Sequence, residues 1–281
     1  MQEDRLNSKL PAPRIHLKAK KSLGQNFLTS EKILSAIVAA GEVVTGDAVL
    51  EIGPGKGSLT EKLLETGARV IAIEKDDRLV SLLSEKFGSN PHFTLIHGDI
   101  LEKLQAISEK LGASYKIVAN LPYYITGTFL EQVFALGNKP FLVVLLLQRE
   151  VALRIVARDG KESILSMSVK AYGTPEYVQT VEARYFSPKP SIDSGILKIT
   201  NISNGFFDEH RITEAAFFDI VKRGFAHKRK QLRGNLGISQ ESLVECGLPS
   251  DARAETLSKE QWACLIKETA KYQVPSAEEG Q

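Results

Sequence analysis

The segment Val49-Leu50-Glu51-Ile52-Gly53-Pro54-Gly55-Lys56-Gly57-Ser58-Leu59-Thr60 constrains the fold more than any other stretch of this chain. An apolar strand runs into three glycines and then into a helical pattern, apolar at Leu59, Leu63 and Leu64, with Ser58 as the expected N-cap. A strand that turns into a helix through glycines lets a ligand approach the backbone at the positive end of the helix. Three later apolar runs also end in polar residues. Arg69 to Ile73 precedes Glu74, Phe93 to His97 precedes Gly98-Asp99-Ile100, and Tyr115 to Ala119 precedes Asn120. Strands and helices alternate from residue 48 to about residue 157, which predicts an α/β fold with a parallel sheet covered on both faces. Ligands of such sheets bind outside the carboxyl ends of the strands, so Gly53, Glu74, Asp99 and Asn120 are expected along one edge.

Three ligands compete for the glycine turn. A phosphate-binding loop needs Gly-Lys followed by Ser or Thr, but Lys56 is followed by Gly57. A dinucleotide fingerprint reads G-x-G-x-x-G, whereas this turn reads G-x-G-x-G. S-adenosylmethionine carries no phosphate and asks mainly for close approach. Its cationic amine also suits Glu51 better than pyrophosphate would; the alternative for Glu51 is a carboxylate paired with a neighbouring lysine. Glu74 lies about 20 residues past the turn, where a nucleotide site of this type places its ribose-binding acid. Asp99 is placed to accept from an adenine amino group with Ile100 against the ring, or else simply to cap the helix that starts at Leu101.

Asn120-Leu121-Pro122-Tyr123 follows the fourth run and suits methyl transfer to an exocyclic amine. Such an amine is a poor nucleophile because its lone pair is delocalised into the ring. The Asn120 amide oxygen and the backbone carbonyl beside Pro122 can each accept one N–H and draw the nitrogen toward tetrahedral geometry. Tyr123 would hold an extruded base by stacking. The plainer alternative is an Asx-Pro turn with a buried tyrosine.

Together these motifs resemble the ribosomal RNA adenine N6,N6-dimethyltransferases of the KsgA/RsmA type. Other matching stretches are Ser22-Leu23-Gly24-Gln25-Asn26-Phe27-Leu28, Gln148-Arg149-Glu150-Val151-Ala152-Leu153-Arg154, Phe186-x-Pro188-x-Pro190-x-Ile192-Asp193-Ser194, and the run from Phe225 to Leu236. The resemblance implies a Rossmann-like class I methyltransferase sheet with a small C-terminal all-α domain, and S-adenosylmethionine as cofactor. It implies that Asn26 and Leu28 close over the cofactor, that Gly53 lies under its methionine part and that Gly55 also binds it. Glu74 would take the ribose diol, Asp99 the adenine amine, and Asn120 would face cofactor and target. Phe186 would lie near the target base beside Tyr123. The implied substrate is a pair of adjacent adenosines in the 3′-terminal hairpin loop of small-subunit (16S) RNA, within an assembling subunit. Two departures stand out: Ser191 replaces the usual lysine, and Tyr124 follows the tetrapeptide where many members have Asn. The rivals are a large-subunit adenine dimethyltransferase and a non-catalytic RNA-binding assembly factor. Lys228-Arg229-Lys230-Gln231-Leu232-Arg233 resembles the small-subunit type more, and an intact Asn120 and Tyr123 argue for catalysis.

The net charge is only +2, so RNA binding must come from local patches. Residues 1–22 hold six Lys/Arg against two acids, and residues 222–233 hold six with no acid. The second patch, including Lys228, Arg229, Lys230 and Arg233, is the expected phosphate footprint. The layout predicts a flexible basic arm (1–20), a methyltransferase domain (21–203), a helical RNA-binding domain (206–273) and a disordered tail (274–281). Within these, Phe141 to Leu147 reads as a central strand, Tyr177 to Glu182 and Gly195 to Thr200 as two more, and 213–223, 240–245 and 258–272 as helices. Cys246 and Cys264, the only cysteines, have no CxxC spacing and suggest a reduced cytoplasmic protein without a disulfide. Five histidines form no metal-ligand pattern, no run is long enough to cross a bilayer, and a monomer is expected.

Overall fold

The computed structural model describes residues 18–20, 23–112, 114–227 and 229–271, so the arm before residue 18 and the tail lie outside it. Strands β1 (Phe27–Leu28) and β2 (Ala48–Ile52) flank helix α1 (Glu31–Ala40). Then come α2 (Ser58–Glu65), β3 (Arg69–Glu74), α3 (Asp77–Phe87), β4 (Phe93–His97), α4 (Ile100–Leu111) and β5 (Lys116–Asn120). The chain continues through α5 (Thr126–Ala135), β6 (Leu142–Gln148), α6 (Arg149–Val156), α7 (Ile164–Lys170), β7 (Thr174–Val181), β8 (Phe186–Ser187) and β9 (Ser194–Thr200). It closes with α8 (Gly205–His210), α9 (Glu214–Gly224), α10 (Leu232–Leu236), α11 (Gln240–Glu245) and α12 (Lys259–Lys271).

Seven strands form one sheet in the order β4-β3-β2-β5-β6-β9-β7. The first five run parallel, and β9 lies antiparallel between β6 and β7. The chain builds outward from β2 to β4, then crosses back to place β5 on the other side of β2. That reversal opens a crevice beyond the ends of β2 and β5, where a ligand can enter. Every position of β2 is buried, because helices cover both faces. Alternate residues feed opposite cores: Leu50, Ile117 and Leu145 one face, Val49, Val118 and Val144 the other.

The Leu50 face does not stop at the sheet. Phe134 stacks on Tyr172 at 4.9 Å, Tyr172 meets Phe207 at 5.1 Å, and Phe207 meets Phe217 at 5.8 Å. The same buried cluster reaches Leu232, Leu243 and Trp262 in the C-terminal helices. The helical region thus shares a core with the α/β region.

Several elements differ from the sequence reading. Phe141 stays half-exposed and β6 starts at Leu142, while α8 and α10 are helices too short for periodicity to reveal. Gly57, not Ser58, caps α2: its φ of 80° is left-handed, and a Cβ there would lie 2.4 Å from the Phe87 ring. The expectation of unpaired cysteines is corrected. Cys246 ends α11, Cys264 sits on α12, and packing of the two helices brings their Cα atoms to 5.7 Å with the sulfurs bonded. A separation of 18 residues gave no hint of that meeting.

Candidate active site

A cleft partly open to solvent lies at the carboxyl ends of β2 to β5. Gly53, Gly55, Glu74, Asp99, Asn120, Leu121, Pro122 and Tyr123 all line it, together with Asn26 and Leu28. The residues that the sequence placed along one edge do converge.

The glycine turn forms the floor. Gly53 has φ 61°, its N–H donates to the Ile73 carbonyl at 2.9 Å, and the space above its Cα is open. Glu51, two residues earlier on β2, is 1% exposed. The Thr60 hydroxyl donates to its Oε2 at 2.7 Å, and its Oε1 has no partner among the described residues. The lysine pairing considered for Glu51 is therefore absent from its described bonds. Burial pushes its carboxyl up to about 8, the Thr60 bond pulls the other way, and nearby Glu74 raises it further.

Glu74 ends β3, only 6% exposed. Its Oε1 accepts the N–H groups of Lys75 and Asp76, both at 2.8 Å, and its Oε2 accepts Gly55 N–H at 3.3 Å. Burial raises its carboxyl and these backbone bonds oppose the rise. A carboxylate has about four lone-pair positions, so these bonds leave one acceptor position unused. Asp99 does what the plainer reading gave it: Oδ1 caps α4 through Leu101 N–H at 3.0 Å. Its Oδ2 pairs with Lys75 Nζ at 2.7 Å, and that bond holds its carboxyl below the usual range. Both roles leave Asp99 on the cleft wall beside Ile100.

Asn120 sits at the end of β5, its Nδ2 donating to the Asn26 carbonyl at 3.2 Å. Its Oδ1 accepts nothing among the described bonds. Leu121 N–H is tied to β6 through the Leu146 carbonyl at 3.1 Å, and the Pro122 carbonyl accepts Ile125 N–H at 3.2 Å. No described bond uses the Leu121 carbonyl, so two acceptors stand free where the sequence asked for them. Tyr123 opens a short 3₁₀ turn, and its hydroxyl shares a 2.8 Å bond with buried Ser194 Oγ. Ser194 was not foreseen, because 71 residues separate the pair.

The closing segment is held at several points. Leu28 pairs with Phe186 in the two-stranded β1–β8 ribbon, Phe27 packs on Gly55, and Lys56 Nζ lies 4.8 Å from the Phe27 ring centre. Phe186, expected near the target base, is instead 5% exposed in the core with Leu28 and Ile196 and does not line the cleft. A second unforeseen residue, Asp76, takes Lys20 Nζ at 3.1 Å, Gln25 Nε2 at 2.9 Å and Arg78 NH2 at 2.7 Å. Its only sequence signal was as the cap of α3. In the basic patch Arg229, Lys230 and Arg233 are exposed, while Lys228 lies outside the described residues. Arg223 leaves the patch for structure, since its guanidinium donates to the Leu236 carbonyl at 3.2 Å and to Asp219.

Residues 16–271 match the family described as ribosomal RNA adenine dimethylase. The chain belongs to that family. A relative from Dehalococcoides mccartyi (strain CBDB1), named ribosomal RNA small subunit methyltransferase A, is 43% identical over 268 residues, covering 90% of this chain and 89% of its own. One of the same name from Fusobacterium nucleatum is 34% identical, covering 90% and 98%. Among solved structures, a dimethyladenosine transferase from Plasmodium falciparum superposes with a TM-score of 0.73 at 22% identity, over 87% of this chain and 98% of that one. The 23S rRNA methyltransferase ErmE does so at 0.70 and 24%, over 86% and 98%. Those likenesses show the fold, a Rossmann-like α/β sheet. The chain is an adenine dimethylase of ribosomal RNA, and its cofactor is S-adenosylmethionine. The cleft suits that cofactor: the space over Gly53 is open, and Glu51, whose Oε1 has no partner among the described residues, lines the same cleft. Among the described residues no helix is long and apolar enough to cross a membrane.

Proposed function

We propose that this chain dimethylates N6 of two adjacent adenosines in the hairpin loop near the 3′ end of small-subunit ribosomal RNA. It would act as a single chain, in the cytoplasm, on an assembling subunit. The observation that carries the chemistry is the pair of free acceptors, Asn120 Oδ1 and the Leu121 carbonyl, on the wall of the cleft. The substrate reading is supported by small-subunit relatives that align along most of their length.

When bound, S-adenosylmethionine supplies an electrophilic methyl on a cationic sulfur. Glu74 would take the ribose hydroxyls and Asp99 the adenine edge. Gly53, with open space above its Cα, would give room beneath the methionine part. Asn120 and Leu121 accept the N–H bonds of the target amine and aim its lone pair across the cleft. Tyr123, fixed by Ser194, offers the ring on which an extruded base stacks. No side chain need protonate the leaving group, because what leaves is neutral, and the amine sheds its proton after attack. Orientation carries the rate, and a well-placed pair can gain roughly 7–11 kcal/mol over free encounter. A monomethylated amine retains one N–H, so one acceptor still serves the second turnover.

Mass spectrometry of RNA digests, after incubation with labelled cofactor and either ribosomal subunit, tests this. Dimethyladenosine in small-subunit RNA alone is expected. Label in large-subunit RNA would support a large-subunit adenine dimethyltransferase instead, and cofactor binding without label would support a binding factor.

A further inference from the structure

Tyr123 and Tyr124 are neighbours in one 3₁₀ turn, and consecutive residues of such a turn point about 120° apart. Tyr123 turns inward to Ser194, whereas Tyr124 is 63% exposed at the rim of the same cleft. An exposed aromatic ring in a position of its own needs no explanation, but this ring is backed on one side. A Cβ built on Gly24 would lie 3.6 Å from both Cδ1 and Cε1 of Tyr124, and 3.7 Å from Pro122 Cβ. Gly24 has φ 61°, so its backbone can pass close against that ring. No ring of the described residues stacks on Tyr124. Exposed Lys56 and Lys75, the latter with its side chain 57% exposed, line the same cleft.

Base extrusion supplies the occupant. A nucleotide that leaves its stack for Asn120 strips its neighbour of one stacking face, and a sequence-tolerant aromatic plate repairs that loss. We propose that Tyr124 is a second stacking plate, seating the base next to the extruded adenosine while Tyr123 holds the target. Exposed Lys56 matches the charge of the backbone joining the two nucleotides, while Lys75 is paired with Asp99. The inference rests on the function proposed above. With two adjacent adenosines as substrate, the plate holds one target while its neighbour reacts.

The test measures affinity for the synthetic hairpin RNA in three forms: intact, abasic at the extruded adenosine, and abasic at its neighbour. Proteins are wild type, Tyr124→Leu and Tyr124→Phe. For wild type, removing the neighbouring base should weaken binding about 5- to 150-fold, the range of one base–aromatic stack. Tyr124→Leu should show a similar loss on intact RNA and no further loss on the neighbour-abasic form, and Tyr124→Phe should bind like wild type. Additive losses, or wild type binding the neighbour-abasic RNA as tightly as the intact one, would overturn the plate. If Tyr124→Leu is instead insensitive to loss of the extruded base, Tyr124 grips the target itself and the proposal also fails. Methylation of isolated small subunits by wild type runs alongside. Its absence brings down the functional reading and the inference with it, and its presence with additive losses brings down the plate alone.

Discussion

Asn120 divides its amide: one end holds the Asn26 carbonyl, and in the function proposed the other accepts from the target amine. Asn120→Ala should therefore leave the fold intact and cut turnover by about two to three orders of magnitude. That matches the ~2.7–4 kcal/mol cost of one positioned contact at an oxyanion hole. Single-turnover methylation of small subunits checks it, and undiminished turnover would sink the mechanism. Glu51 makes a prediction of the opposite character. Its folded carboxyl is raised from 4.5 to about 8, so the folded state holds a proton that the unfolded chain has lost. Stability must then decline as pH rises from about 4.5 to about 8 and level off above. Glu51→Gln should flatten that decline in thermal melts of the ligand-free protein. A parallel decline in both proteins would show Glu51 ionised in the fold. Glu74, Asp99 and Asn120 were legible because each ends an apolar run, and strand ends are where such sheets present side chains. Ser194 and the orphaned Oε1 of Glu51 were not, since both depend on contacts the chain makes only after folding.

The alternation of strands and helices was readable because parallel strands buried on both faces show as unbroken apolar runs, as in β2 and β6. The β1–β8 ribbon escaped, being two residues per strand and joined across the whole domain. Its neighbour, the latch at Asp76, links the cap of α3 to the closing segment. The Asp76 side chain is fully buried, and Arg78 first, then Gln25 and Lys20, hold its carboxyl well below the ordinary range. A depressed carboxyl contributes stability above its unfolded value of 3.8, lost as pH falls toward the folded value. Asp76→Asn keeps a cap for α3 but drops the charge, at a cost of about 1–3 kcal/mol for charge-assisted bonds to partly exposed partners. Because the same residue holds Gln25, next to Asn26 on the cleft, cofactor affinity should fall with stability. Calorimetric titration with S-adenosylmethionine checks this, and unchanged affinity would make the latch a local cap only.

At the scale of the molecule, one apolar core runs from β2 through Tyr172 and Phe217 to Trp262, so the helices that carry the basic patch are fixed to the sheet that carries the cleft. Separate domains were the natural reading, because periodicity shows where helices lie and not which core they share. The shared core gives the proposed footprint a purpose: phosphates held at Arg229, Lys230 and Arg233 would set where the RNA loop meets Tyr123. These three are exposed, and no ion pair within 4.0 Å is found for them among the described residues. Arg223 is committed to Leu236 and is the wrong residue to replace, since its loss would confuse binding with folding. Exchanging Arg229, Lys230 and Arg233 for Ala should weaken binding to RNA of any sequence. The slope of log affinity against log salt should shallow by roughly one unit per lost phosphate contact. Cofactor affinity should hold, because none of the three lines the cleft. Filter binding across a salt series, with a scrambled RNA alongside, separates the outcomes. An unmoved slope makes the patch a solvated face, and a loss confined to one sequence makes it a reader of bases.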